Sequence, residues 1–581
     1  MKYPIAKSDF IFAAIVLAVS VFAGSAVLAP FQLYGHSAGI DLVRLSILDS
    51  GIRAGVWYPR WSPFTYFGYG SPLFNFYAPL AYYIAEIFVL AGASIMWGIK
   101  SAYLFALVAA GFCMFLFGRE LGGPWAGLAA GCLYILAPYV LTETYVRASL
   151  SELMIFWEIA LTLFLLAVYG RSGNIFWMFG ASIMFAIMIL THNISALIYA
   201  VLIPIYCVIA LPGNRRWPAC LSVPIGIMLS LFFWLPAMLQ KSYVYAEESL
   251  TSGYFSYALH FLYPMQLIRH RWGFGVSNPG PDDDLALMVG LVHLAGIAIF
   301  VLGAVAARYI DRRGLALFIF LLSGVFFALP YSKFFWDNLP LIRFFQFPWR
   351  FLLVVVFAAS ALAASGIRLI QRRFGSKAEM GISFLLVSAS LLVYGPHVEA
   401  RFAFVERQSR EIHVMKLDSA RIAVSSGNYI QMQDLILPDK LINQGVNGTS
   451  QDDYLPRWVK QKPTVQSVNR FHVINGDGMI LSEAISFNRY TASVHAAQNI
   501  LMSCEAFYFP GWIVRVDGKP EPFEPLPISG TIGFRIPPGK HSVEVAYEND
   551  FLQTAATACC SLAWAGLGVA ILVIGRRRRK G

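Results

Sequence analysis

The stretch GHSAGIDLVR at 35–44, continued at 57–83 by WYPRWSPFTYFGYGSPLFNFYAPLAYY, decides how this chain is read. It follows the first apolar segment and sets His36, Asp41, Arg44 and Arg60 among dense Tyr, Phe, Trp, Pro and Gly. Its charges make it too polar to cross a bilayer, and its rings make it too aromatic for a solvated linker. Amphipathic rings of this kind settle at headgroup level. The loop is therefore expected on the membrane surface, as the first wall of an active site at the water–lipid boundary.

Outside that loop the chain is apolar. Hydrophobic residues make up 57% of it and charged residues 13%, against roughly 25% charged in ordinary soluble domains. Mean hydropathy is +0.60. A polytopic α-helical membrane protein follows. The net charge of +11 comes from short basic clusters between apolar runs, so it speaks for cytoplasmic anchors and the bilayer and against nucleic acid as a partner. Six of the seven cysteines fall in apolar segments, leaving no disulfide framework. Lys2 and Lys7 precede an apolar run that lacks a convincing small-residue cleavage site, so a retained first helix is expected.

Thirteen apolar segments stand out: 10–29, 76–97, 101–118, 124–142, 153–170, 174–190, 194–211, 218–237, 285–306, 313–330, 350–369, 380–396 and 555–574. Placing the basic clusters and both termini in the cytoplasm requires an even number of crossings. The segment 76–97 carries Pro79 and Glu86 and continues the aromatic loop, so it is expected to lie along the outer surface. That leaves about twelve spans; thirteen would strand Lys2 and Lys7 on the outer face.

The domains then read as a transmembrane part at 1–396 with its first outer loop at 30–100, an extracytoplasmic β-rich part at 397–553, and a last helix with a basic tail at 554–581. Strand alternation at 490–496, 501–509, 512–516, 531–536 and 542–547, with Asp517-Gly518 and Pro538-Gly539 turns, predicts a small sandwich or barrel. The β-rich part is expected on the outer side of the membrane, with both termini in the cytoplasm.

Ionisable residues at membrane depth are costly unless paired or wet, which makes them site candidates. Asp41 and Arg44 are one helical turn apart: a solvated ion pair, or a carboxylate near a reacting centre. ETYVRASLSE (143–152) brings Glu143, Arg147 and Glu152 to the junction of two spans. Glu152 also suits a helix first turn. His192, in Thr191-His192-Asn193, is either an interfacial hydrogen-bonding residue or a binding residue. IRFFQFPWRF (342–351) frames Arg343 and Arg350 with rings, fit for a phosphate or for snorkelling to headgroups. Asp282-Asp283-Asp284 reads as the acidic first turn of a helix rather than a metal motif. No Walker loop, Rossmann fingerprint, HExxH, CxxC or HxH occurs, so the ligand is expected to arrive attached to lipid.

In this order, YPRW-x-P (58–63), GYG-x-P (68–72), FNFYAPLAYY (74–83), R-x-L-G (119–122), APY (137–139), the Arg147…Glu152 pair, LTHN (190–193), FPWRF (347–351) and the closing FYFPGWIVRVDGKPEPF (507–523) and GKHSVEVAYEND (539–550) resemble a bacterial family. Its members are membrane proteins with a 6-pyruvoyl-tetrahydropterin synthase-related domain, although the metal-binding histidine pattern of that soluble enzyme is missing here. The family is in turn similar to GT-C type glycosyltransferases, which use polyprenyl-phosphate sugars.

The resemblance implies juxtamembrane helices in the first outer loop, a catalytic Asp for which Asp41 is the match, and a second acidic position at Glu152, with Glu143 as fallback. The implied chemistry is one inverting displacement at the outer face, with Asp41 taking the acceptor's proton and Arg343 and Arg350 steadying the leaving polyprenyl phosphate. His36, Arg44, Tyr58, Arg60, Trp61, Tyr69, Glu143, Arg147 and His192 complete the expected binding set. No cofactor is required, with room left for a divalent metal. The acceptor (glycan, lipid or protein) stays open. The alternative is a non-catalytic binder or transporter of a polyprenyl-linked glycan, and a scaffold comes third.

Overall fold

The computed structural model describes residues 6–406, 412–419, 429–431, 448–449, 452–467 and 469–580; the rest of the 397–553 region lies outside the described residues. Helices fall on all thirteen apolar segments: α1 (Lys7–Ala23), α4 (Leu80–Leu90), α5 (Ile95–Gly122), α6 (Pro124–Ile135) with α7 (Pro138–Tyr145), α8 (Leu150–Ser172), α9 (Ile175–Thr191), α10 (Asn193–Ala210), α11 (Gly213–Cys220) with α12 (Ser222–Leu229) and α13 (Leu231–Gln240), α16 (Leu291–Ala307), α17 (Arg312–Ala328), α19 (Leu352–Phe374), α20 (Ser376–Tyr394) and α21 (Phe551–Lys580). Between them lie α2 (Ala38–Arg53) and the short α3 (Leu73–Phe76), α14 (Ala246–Thr251), α15 (Pro264–Ile268) and α18 (Lys333–Asn338). Among the described residues, six helices are long and apolar enough to cross a membrane, or up to nine if each bent pair is one span. The 17-residue α1, α9 and α16 fall just short of that length. At 1.5 Å per residue the 11-residue α4 reaches only about 16 Å, half of a hydrocarbon core.

The bundle is organised around α5, α8 and α19. The helix that includes α19 is the most enclosed, with 89% of its apolar window buried, whereas α21 is peripheral at 11%. Small residues let the backbones close in: a Cβ on Gly118 would sit 2.7 Å from Ala130 Cβ. At one end of the bundle the basic residues meet on buried acids. Arg119 pairs with Asp9 at 2.5 Å, and Arg171 and Arg313 reach Glu120 at 3.1 and 3.3 Å. α8 runs from Glu152 to Arg171, which at 1.5 Å per residue sets this basic end roughly 30 Å from the polar cluster at the other end.

At that other end the first loop meets the β-rich part. A small sheet joins β1 (Leu33–Tyr34) antiparallel to β2 (Arg401–Glu406), which also pairs β3 (Ile412–Met415) and β4 (Tyr429–Gln431). The C-terminal domain is a sandwich of two open sheets and not a barrel. One has the order β10-β9-β13-β7-β6: Lys519–Pro520, Trp512–Val516, Gly539–Tyr547, Arg489–Ala496 and Gly478–Ile485. The other runs β11-β12-β8-β5: Phe523–Pro525, Thr531–Ile536, Ile500–Phe507 and Phe471–Asn475. Tyr490, Val494, Met502, Cys504, Val514, Ile536, Val543 and Val545 are fully buried between them or nearly so.

Asp282–Asp284 departs from expectation. α16 starts at Leu291, so these residues form a loop rather than a helix first turn. Asp283 accepts hydrogen bonds from Asn278 N, Leu285 N and the Ser277 hydroxyl at 3.2–3.3 Å, and Asp284 pairs with Arg271 at 2.7 Å.

Candidate active-site cavity

A cavity of about 730 Å³ opens where α2, the α9–α10 junction, α13, the 341–350 turn and residues 453–454 converge. Arg44, Arg147 and Arg350 line it together with His36 and His192. Asp41, Glu143 and Glu152 do not; they stand behind the arginines.

Each arginine is held by a carboxylate on its buried side. Arg44 Nη1 lies 3.9 Å from Asp41 Oδ1 and donates to the Tyr82 hydroxyl at 3.0 Å, while its Nε donates to Gly448 O at 2.8 Å. Its guanidinium lies 3.5 Å from the centre of the Tyr77 ring. Arg147 Nη1 donates to both oxygens of Glu143 at 2.5 and 2.6 Å and to Glu152 Oε2 at 2.6 Å, and the group lies 4.7 Å from the Trp349 ring. Arg350 has Nε 3.4 Å from Glu152 Oε2, and its Nη1 donates to Phe345 O and Gln346 Oε1 at 2.8 and 2.9 Å. Pairing with these carboxylates offsets the cost of burying three cations at the cavity wall.

The carboxylate expected to face a reacting centre faces the protein instead. Asp41 is 1% exposed. It accepts from Tyr82 at 2.7 Å, Tyr103 at 3.2 Å and Leu150 N at 3.3 Å. Burial pushes its carboxyl up, against the pull of Arg44 and the Tyr82 hydroxyl. Glu152 is fully buried, with its other oxygen accepting from the Tyr139 hydroxyl at 3.2 Å. His192 caps α10: Ser195 N donates to Nδ1, which makes that nitrogen the acceptor and leaves Nε2 protonated.

Four expected binding residues lie elsewhere, in the dock between the first loop and the sandwich. Tyr58 donates to Phe74 O at 2.7 Å. Arg60 donates to Asn75 Oδ1 at 3.1 Å and Phe232 O at 2.7 Å. Trp61 stacks on Tyr547 with centroids 5.5 Å apart and meets Trp512 edge-on at 5.2 Å. Tyr69 leans on Phe507, whose amide donates to Tyr69 O at 2.8 Å. Such an aromatic, cation-bearing motif reads the same in sequence whether it grips a ligand or another domain. Arg343 also misses the cavity and pairs with Glu247 at 2.5 Å.

Two charged residues that line the cavity escaped the sequence reading: Lys241 and Asp453. Asp453 sits in a polar stretch some four hundred residues from Arg44, with no local periodicity to single it out. It is 6% exposed, its Oδ1 has no hydrogen-bond partner, and burial pushes its carboxyl up to about 6. Among the described residues, no group of three or more His, Cys, Asp or Glu is placed to hold a metal ion.

No family model matches the chain. No curated protein matches it. Solved structures similar to it include the apo oligosaccharyltransferase of Archaeoglobus fulgidus, with 15% identity and a TM-score of 0.45 over 67% of this chain and 56% of that one. Arabinofuranosyltransferase AftD from Mycobacteria gives 13% identity and 0.43 over 68% and 27%. ArnT from Cupriavidus metallidurans, bound to undecaprenyl phosphate, gives 14% and 0.38 over 76% and 77%. The chain thus spans little more than half the length of the archaeal enzyme, and at these scores none of those activities passes to it.

Proposed function

We propose that this protein is a membrane glycosyltransferase that moves a sugar from a polyprenyl-phosphate donor to a glycan, lipid or protein acceptor on the extracytoplasmic face. The observation that carries the reading is the polarity of the cavity wall: three arginines line it, and the carboxylates paired with them do not. An anion entering there meets planar donors preorganised by their carboxylate partners, an arrangement that stabilises a phosphate as it leaves. The remaining wall, including Leu197, Ile227, Trp234 and Met238, is apolar and suits a hydrocarbon tail. Asp41 positions Arg44 in this scheme, and Glu143 and Glu152 position Arg147 and Arg350. Both termini and the basic end would be cytoplasmic, in a bacterial inner membrane crossed by twelve spans.

Binding of a C55 polyprenyl phosphate to the full chain in nanodiscs tests the site. Arg350→Ala is expected to weaken it by about 10- to 100-fold, since losing a hydrogen bond to a charged group costs roughly 1.5–3 kcal/mol. Equal affinity for wild type and variant would remove the phosphate from this wall. The burial of Asp41 and Glu152 favours a second reading, a non-catalytic carrier of a lipid-linked glycan. Mass spectrometry of lipid-linked sugars in a deletion strain separates the two: one missing sugar unit means transfer, and an intact but mislocated glycan means transport.

A further inference from the structure

With glycosyl transfer as the underlying reading, we propose that Asp453, carried by the segment 452–459 that joins the sandwich to the bundle, takes the proton of the acceptor's attacking hydroxyl. Three observations support it. Asp453 supplies the one carboxylate among the described residues lining the cavity. Its competitors are occupied: Asp41 accepts three hydrogen bonds, and Glu143 and Glu152 share Arg147. No hydrogen bond holds Asp453 Oδ1, although the side chain is more than nine-tenths buried, so unlike its competitors this carboxylate is not committed to a protein donor through that oxygen.

The segment is fastened rather than draped. Pro456 bridges Val244, Tyr245 N donates to Leu455 O at 3.3 Å, and Arg457 donates through its backbone N to Tyr243 O and through Nε to Val244 O, both at 3.0 Å. Next to Asp453, Tyr454 stacks on Phe76 with centroids 5.4 Å apart, and both rings line the cavity beside Tyr77. A carboxylate framed by ring faces suits a hydroxyl-bearing acceptor such as a sugar. The acceptor end of the cavity is thus assigned to Asp453 and these rings, with Arg44 beside them, and the phosphate end to Arg147 and Arg350.

The step balances without a further reactant. The acceptor oxygen forms a bond to the anomeric carbon, and the bond from that carbon to the phosphate oxygen breaks. Its electron pair leaves on the polyprenyl phosphate, and the acceptor's proton passes to the Asp453 carboxylate.

The test uses the full chain in two assays. Purified Asp453→Asn is expected to bind C55 polyprenyl phosphate within about twofold of wild type. In the deletion strain it should restore less than about one hundredth of the missing sugar unit, in line with the roughly 10²–10⁴-fold that general bases supply. Asp453→Glu, which keeps the carboxyl, should restore an intermediate amount. Full restoration by Asp453→Asn with phosphate binding intact overturns the Asp453 assignment and leaves glycosyl transfer standing. Should Asp453→Asn not accumulate, Asp453→Ser takes its place with the same expected and overturning results. Wild-type protein that neither binds the polyprenyl phosphate nor alters any glycan on deletion removes both readings.

Discussion

Arg147 satisfies two carboxylates with one nitrogen, and this geometry makes it irreplaceable. Truncating it to Met leaves Glu143 and Glu152 buried without a cation, a loss on the order of 3–5 kcal/mol. Arg147→Met is therefore expected to cut yield and melting temperature sharply, as read by thermal unfolding in detergent. Asp453 responds in the opposite direction. Its folded carboxyl is raised to about 6 by burial, from an ordinary 3.8, so the folded state binds more protons than the unfolded one between those values. Stability then falls as pH rises through about 4 to 6 and stays low above it. Asp453→Asn should melt higher than wild type at pH 7.5, by roughly 2–3 kcal/mol of stability, and together with it at pH 4. A constant difference across that range would show that burial does not raise this group. The spacing of Glu143, Arg147 and Glu152 at a span junction was legible in sequence because four- and five-residue separations on consecutive helices keep charges together. Asp453 was not, since only long-range chain closure brings it to Arg44.

Among the elements, the first loop carries two functions that its sequence merges. Its early part, with His36 and Arg44, faces the cavity, while 58–70 holds the sandwich. Gly70 has φ +87°, and a Cβ there would lie 2.5 Å from the Trp61 ring, so both conformation and space forbid a side chain. Gly70→Ala and Trp61→Ala are each expected to loosen the dock, the latter by about 3–5 kcal/mol. Hydrogen exchange should rise in Trp512–Val516 and Gly539–Tyr547 while α5 and α8 keep their protection. Unchanged exchange in those strands would show that the sandwich is held from elsewhere. The strand alternation and Asp-Gly turn located β7, β8, β9, β12 and β13. The sheet pairing β1 with β2 was hidden, because a two-residue strand has no period to detect.

On the scale of the whole molecule, basic clusters gather at one end of the bundle, and the cavity and sandwich occupy the other. Lys519 on the sandwich and Lys377 at the start of α20 are both exposed. Lys519→Cys is expected to react with a membrane-impermeant maleimide in intact cells, and Lys377→Cys only after permeabilisation. Labelling of both from outside would reverse the orientation assigned from charge.

Composition and apolar periodicity alone determined that this chain is a helical membrane protein with a β-rich domain near its C-terminus, since burial of apolar surface and pairing of backbone groups depend on nearest neighbours in the chain. The break in 76–97 was also legible, because Pro79 and Glu86 interrupt it and only the 11-residue α4 lies wholly within it. Which polar groups share the cavity was decided only by the tertiary structure. A charge on a helix end points to solvent, lipid or protein according to what packs against it, and this turned Asp41 inward, set Arg60 against Asn75 and Phe232 and Trp61 against the sandwich, and left Asp453 on the cavity wall.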